Sequence, residues 1–181
     1  MAREDVSLKY AHVERERRWL LAAEPVGLDV SATLRITDRY VDGTRLRLRE
    51  VEHGDGRVVR KLDQKVRLGG SGSGAGEVAH TTIYLDEPEW AALLVLPSHV
   101  LVKRRSICVV DGVRVAVDVF GGHGRGLVLA EVDRGDGPDL GLPAVLDPVA
   151  EVTDDEFFTG GALAAAERDE VERRLTDFLQ S

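Results

Sequence analysis

Cysteine is nearly absent from this 181-residue chain. The single one, Cys108, excludes an internal disulfide and a cysteine-built zinc site, and suits a reducing compartment. Long hydrophobic runs are missing as well: the best, from Ala91 to Leu96, stops at Pro97, far short of the roughly 20 residues that cross a bilayer. The opening Met1-Ala2-Arg3-Glu4-Asp5 lacks the apolar segment of a secretory signal. A cytoplasmic protein without membrane contact is therefore expected. Positive charge is in deficit, with 24 Lys+Arg against 32 Asp+Glu and a formal charge of −8, which argues against bulk binding to nucleic acid. Aromatics make up 5% of the chain, and few lie near the one arginine-rich stretch, Arg45 to Arg49, to stack bases. The five histidines show no metal-ligand spacing and are expected in surface or turn roles. What remains, 43% hydrophobic and 31% charged, predicts one globular domain over residues 1–181, since domains run to roughly 100–200 residues.

Most of the chain alternates with period two, the pattern of half-buried strands. From His12 to Leu21, Val13, Arg15, Arg17 and Trp19 share one face, while Glu14, Glu16 and Arg18 share the other. Ala32–Val41 and Thr44–Val51 form a predicted hairpin around Asp42-Gly43. Further strands are expected at Val58–Leu68, Val78–Leu85, Val100–Val110, Val113–Phe120 and Leu127–Asp133, with a turn at Asp111-Gly112. That makes about eight, mostly antiparallel because their links are short. Helices are the minority. Asp86-Glu87-Pro88-Glu89 opens one with a capping box. Thr153-Asp154-Asp155-Glu156 suggests another, and a final helix is expected from about Leu163 to Leu179. Gly69 to Gly76 is a low-complexity segment lacking the Gly-Lys-Ser/Thr of a phosphate-binding loop.

Charges recur on alternate positions of most strands: Arg45, Arg47 and Arg49; Lys61, Asp63 and Lys65; Lys103 and Arg105; Asp118; Glu131 and Asp133. In a sandwich these faces would simply meet water, as in a β-rich interaction domain. In a closed barrel they line the lumen, with helices covering an apolar outside. Three helices are available for that cover, which favours the barrel: an α+β fold built on an eight-stranded antiparallel β-barrel. A lumen mixing basic groups with paired carboxylates suits a polyphosphate with a divalent metal, because Arg and Lys neutralise phosphoryl oxygens and hard Mg²⁺ or Mn²⁺ ions prefer oxygen ligands.

These residues resemble the CYTH superfamily, the triphosphate tunnel metalloenzymes. Glu14-Arg15-Glu16-Arg17-Arg18 resembles its ExExK signature, and Tyr40-Val41 before Thr44-Arg45-Leu46-Arg47 its tyrosine and arginine strands. Lys65 stands at the place of a strand-end lysine. Val102-Lys103-Arg104-Arg105, Ala116-Val117-Asp118-Val119-Phe120-Gly121 and Gly126-Leu127-Val128-Leu129-Ala130-Glu131-Val132-Asp133 follow in the family's order, then Glu151-Val152-Thr153-Asp154 and Leu163. The resemblance implies a tunnel core over about residues 8–163 followed by a C-terminal helix. It also implies a small-molecule triphosphate as partner, inorganic tripolyphosphate first, hydrolysed by a monomer or homodimer with Mg²⁺ or Mn²⁺. Glu14, Glu16, Asp118, Glu131 and Asp133 would be metal ligands, and Glu14, Glu16 and Glu131 the catalytic set. Arg18, Arg45, Arg47, Lys65, Lys103 and Arg105 would bind the substrate.

The chain departs from the family at several of these places. Arg18 replaces the signature lysine, which keeps the charge and alters the reach. Asp133 is one methylene shorter than the usual glutamate. Thr82-Ile83-Tyr84 stands where bacterial members often carry a glutamate pair, and Ala116 replaces another common acid. Two alternatives follow: an adenylate cyclase on the same fold, or a catalytically reduced protein that binds polyphosphate or a nucleotide.

Overall fold

The computed structural model describes residues 9–68, 77–133, 135 and 141–180. The glycine-rich segment Gly69 to Gly76 lies outside the described residues. Among the described residues nine strands are formed: β1 His12–Leu21, β2 Val30–Val41, β3 Leu46–His53, β4 Val58–Arg67, β5 Glu77–Tyr84, β6 Ser98–Val110, β7 Val113–Phe120, β8 Val128–Asp133 and β9 Pro148–Glu151. The described α-helices are α1 Glu87–Leu93, α2 Gly160–Ala165 and α3 Arg168–Leu179. No described helix is long and apolar enough to cross a membrane.

The strands run in the order β5-β4-β3-β2-β6-β7-β8-β1, and β1 pairs back onto β5, so that eight antiparallel strands close into a barrel. Closure removes the open edges that would otherwise template aggregation. The edge of β1 that β5 leaves at Arg15 is taken up from Trp19 onward by the short β9, a strand that the alternation did not announce. Turn chemistry agrees with the topology. Asp111 and Gly112 both take positive φ, at 51° and 78°, as the two-residue hairpin between β6 and β7 requires. Helix α1 begins on the expected capping box, with the Asp86 side chain accepting from the Glu89 backbone and the reverse contact also made.

Two apolar clusters show which face of each strand points outward. Trp19, Leu21, Cys108, Val115, Val117, Val128, Ala130 and Val132 form a patch on the outside of the barrel, covered by Leu146 and neighbouring residues. Cys108, completely buried here, is a core residue. The second cluster closes one end of the barrel. Leu20, Leu101, Phe120 and Leu129, at the ends of their strands, pack against Val152, Phe158, Leu163, Ala164 and Val171.

That plug differs from the single C-terminal helix expected from the sequence. Ala166 is extended, with ψ at 144°, and the chain bends there, so that Leu163 and Val171 both reach the barrel end from separate helices. The Thr153–Glu156 stretch likewise caps a 3-10 turn, Glu156–Phe158, through Asp155 rather than opening an α-helix. Thr153 instead accepts the Arg18 backbone N–H at 2.9 Å and ties the plug to β1.

Candidate functional site

Register decides what meets inside. Across neighbouring strands Glu16 lies opposite Asp133, Arg18 opposite Glu131, Arg105 opposite Asp118, Asp38 opposite Arg49, Arg47 opposite Asp63, and Lys65 opposite His80. Side chains of directly opposed residues share one face of the sheet, and here that face is the lumen. The charged faces converge, the apolar faces are covered, and the barrel is inverted relative to a solvated sandwich.

The lumen charges form two networks. In the first, Glu14 receives Lys65 Nζ at 2.6 Å and His80 Nδ1 at 2.5 Å. The other imidazole nitrogen meets Asp63 at 3.0 Å. Asp63 also takes Arg47 at 2.5 Å and the Thr82 hydroxyl at 2.7 Å. Asp38 then accepts both arms of Arg49 at 2.6 and 2.7 Å, with Arg47 at 3.7 Å. In the second network Asp118, fully buried, is held by Lys103 at 2.5 Å and by both arms of Arg105 at 2.6 and 2.7 Å. Arg105 continues to Glu131, which Arg18 reaches at 2.9 Å. Arg18 meets Glu16 at 3.6 Å and donates to the Phe158 carbonyl of the plug at 3.1 Å.

These contacts override the cost of burial. Burial opposes ionisation of Glu14, yet the His80 and Lys65 donors outweigh it and hold its carboxyl at about 2. Burial opposes the charge on His80 too, but its hydrogen bonds to Asp63 and Glu14 prevail and raise its pKa above the ordinary 6.5. Glu131 is held well below the carboxylate range, Arg105, Lys103 and Arg18 overcoming its desolvation. The two limbs of a stability profile follow. The Glu14 contribution is complete above 4.5, its ordinary value, and is lost as pH falls toward 2. The His80 contribution is complete below 6.5 and is lost as pH rises through the elevated folded value. Urea midpoints are therefore expected to fall as pH rises above 6.5 in the wild type and to stay flatter in His80→Gln. Equal slopes in the two proteins would remove the imidazolium from the network.

Of the residues singled out from the sequence, Glu14, Glu16, Arg18, Arg47, Lys65, Lys103, Arg105 and Glu131 line a cavity of about 360 Å³ on the plug side. Asp133 lines a second cavity of about 520 Å³ toward the opposite mouth. Glu16, Arg49, Arg105 and Glu131 line both and form the waist between them. Asp118 is enclosed behind Lys103 and Arg105. Arg45 precedes β3 and lines neither cavity, and its Nη1 is buried without a hydrogen-bond partner. Asp38, Arg49, Asp63 and His80 belong to the networks without having been chosen as site residues. His80 was expected at the surface. Its place opposite Lys65 is a matter of strand pairing, which one strand's alternation does not carry.

Among the described residues no group of three or more ligand-type side chains is placed to hold a metal ion. Glu14, Asp118 and Glu131 are each committed to cations, and Asp133 accepts backbone N–H groups of Arg15 and Gly135 at 3.2 and 2.9 Å. As they stand, these residues do not fit the Mg²⁺ or Mn²⁺ that the resemblance implies.

A closed antiparallel barrel of eight strands with a charged lumen is the fold that the sequence resemblance implies, and the chain has it. Solved structures share it, two of them as follows. The hypothetical protein NE1496 is 24% identical with a TM-score of 0.54, the match covering 85% of this chain and 99% of that one. The inorganic triphosphatase NE1496 is 23% identical with a TM-score of 0.52, covering 84% and 95%. At these identities the likeness is one of fold. No protein-family model matches the chain, and no curated protein matches it.

Proposed function

We propose that the lumen binds a triphosphate compound and hydrolyses a phosphoric anhydride bond within it. The observation that supports this most is the waist, where Arg49 and Arg105 face Glu16 and Glu131 between two cavities. Guanidinium groups offer planar pairs of N–H donors that match phosphoryl oxygens. Here they are preorganised by the carboxylates behind them, so little reorganisation is needed as charge develops. In the proposed step water attacks a terminal phosphorus and the bond to the bridging oxygen breaks. The diphosphate portion leaves with the electron pair, and the water's proton passes to Glu16. That carboxylate suits the task because its ion pair with Arg18 is long, at 3.6 Å. Inorganic tripolyphosphate is the minimal ligand of the waist. Dependence on Mg²⁺ or Mn²⁺ rests on the sequence resemblance, and no step is assigned to the metal.

Phosphate release from tripolyphosphate, thiamine triphosphate and ATP, with Mg²⁺, Mn²⁺ or EDTA, tests the reading. Turnover is expected, and Glu16→Gln is expected to lower kcat by roughly 100-fold or more while leaving the fold intact. Full activity in that variant would discard the assigned role. A second reading is favoured by the commitment of the carboxylates to cations: a protein that binds triphosphates without turnover. It predicts tight binding and no phosphate release under any metal condition. A cyclase would instead turn ATP into cyclic AMP and diphosphate.

A further inference from the structure

Both carboxylate oxygens of Glu14 are occupied from within the chain. Oε2 takes the Lys65 ammonium at 2.6 Å, and Oε1 takes His80 Nδ1 at 2.5 Å. The other side of the ring is held too, with Nε2 3.0 Å from Asp63 Oδ1. An ionised carboxylate accepts and does not donate, so a ring set between two of them donates from both nitrogens and carries a positive charge. Strand pairing brings the three groups together. Lys65 stands opposite His80 across β4 and β5, and Glu14 arrives on β1 where β1 closes the barrel against β5.

The second network repeats the pattern. Glu131 gives one oxygen to Arg18 at 2.9 Å and the other to Arg105, and both oxygens of Asp118 are taken by Lys103 and Arg105. A divalent ion, which takes about six oxygen ligands, would have to displace an ammonium and an imidazolium from Glu14, or guanidinium groups from Glu131. It would then sit beside the cations it had displaced, at like charge.

The ligand side does not call for such an ion. None of the described hydrogen bonds of Arg49 and Arg105 uses Nη1, which leaves a donor nitrogen of each for a phosphoryl oxygen. Toward the opposite mouth the wall adds His53, Arg57, Lys61 and Arg114 against Asp133. An entering anion thus meets a cationic wall in a chain whose formal charge is −8.

Building on the triphosphate reading above, we propose that His80 and Lys65 are the resident counter-cations of Glu14, in the place that the sequence resemblance gives to a divalent metal, and that the lumen takes a triphosphate without one.

Two measurements on the intact wild-type protein test this. The electron paramagnetic resonance signal of free Mn²⁺ is expected to be unchanged by ligand-free protein. Calorimetric titration with tripolyphosphate is expected to give an affinity in metal-free buffer at least equal to that in Mg²⁺, since chelated Mg²⁺ covers oxygens that the lumen cations would take. In His80→Ala, checked for an intact fold by circular dichroism, Glu14 and Asp63 lose the ring between them. Mn²⁺ is expected to bind that variant at least about tenfold more tightly than the wild type, because hard divalent ions seek free carboxylate oxygens. Stoichiometric Mn²⁺ binding by the wild type, or tripolyphosphate bound about tenfold more tightly with Mg²⁺ than without, overturns the counter-cation assignment and leaves the triphosphate reading standing. A folded His80→Ala protein that ignores Mn²⁺ removes His80 from that role. Tripolyphosphate binding in neither buffer overturns the triphosphate reading itself, and metal-free uptake with it.

Discussion

Replacing Asp118 by asparagine is expected to destabilise the protein by about 3–5 kcal/mol, the cost of removing one partner of a buried ion pair. Asp118 is fully buried, and Lys103 and both arms of Arg105 converge on it within 2.7 Å. Arg105 keeps Glu131 when Asp118 is lost, but Lys103 loses its 2.5 Å ion pair and keeps the face of Phe120, 5.5 Å from its ring centre, and the more distant attraction of Glu131. Burial and the nearby Arg105 already push the Lys103 ammonium down, and without Asp118 it is expected to be pushed down further. This gives a diagnostic pairing. Lys103→Met is expected to be costly in the wild type and nearly free in the Asp118→Asn background, because an uncompensated charge is no longer left behind. Urea midpoints at unchanged m-value measure both. Glu151→Gln, which breaks the part-exposed pair with Arg17, supplies the contrast at under about 1 kcal/mol. An Asp118→Asn protein as stable as that control would mean the lumen charges are solvated and the networks carry no stability.

Phe158→Ala is expected to cost about 3–5 kcal/mol, the usual range for emptying a buried aromatic site. The ring is 1% exposed and sits edge-on to Phe157 and Phe178, at 5.3 and 5.6 Å between centres. It joins the barrel-end residues Leu101, Phe120 and Leu129 to Leu163 and Val171 of the two C-terminal helices. Its backbone carbonyl also accepts Arg18, so a loosened plug frees an arm of a lumen cation. Weaker triphosphate binding is therefore expected together with the lower midpoint. If stability falls while affinity stays unchanged, the plug is a lid on the core and does not position Arg18.

Much of the site was legible as sets of residues sharing a face. Glu14, Glu16 and Arg18 on β1, Arg47 on β3, Lys103 and Arg105 on β6 and Glu131 on β8 are lumen residues because alternation in an extended strand is set by local geometry. Asp63 was read among the alternating charges of β4 without being chosen as a site residue, and Asp38 and His80 were passed over. Each becomes part of a network only by facing a residue on the neighbouring strand, Arg47, Arg49 and Lys65 respectively, and which residues face each other is set by pairing register rather than by one strand's alternation.

The sequence by itself determined the eight barrel strands, the antiparallel hairpins at turns such as Asp111-Gly112, the capping box of α1, and which residues of each strand travel together, but not the short β9. Tertiary structure alone decided which face is inside, because a period of two reads the same from either side of a sheet. The choice was made by the pairing of β1 with β5 and by the apolar cover over Trp19, Val117 and Ala130. Burying the aliphatic faces there stabilises the outside, and the charges opposite them are left to neutralise one another across the lumen. The bend at Ala166 and the commitment of Asp118 to Lys103 and Arg105 follow from the same closure.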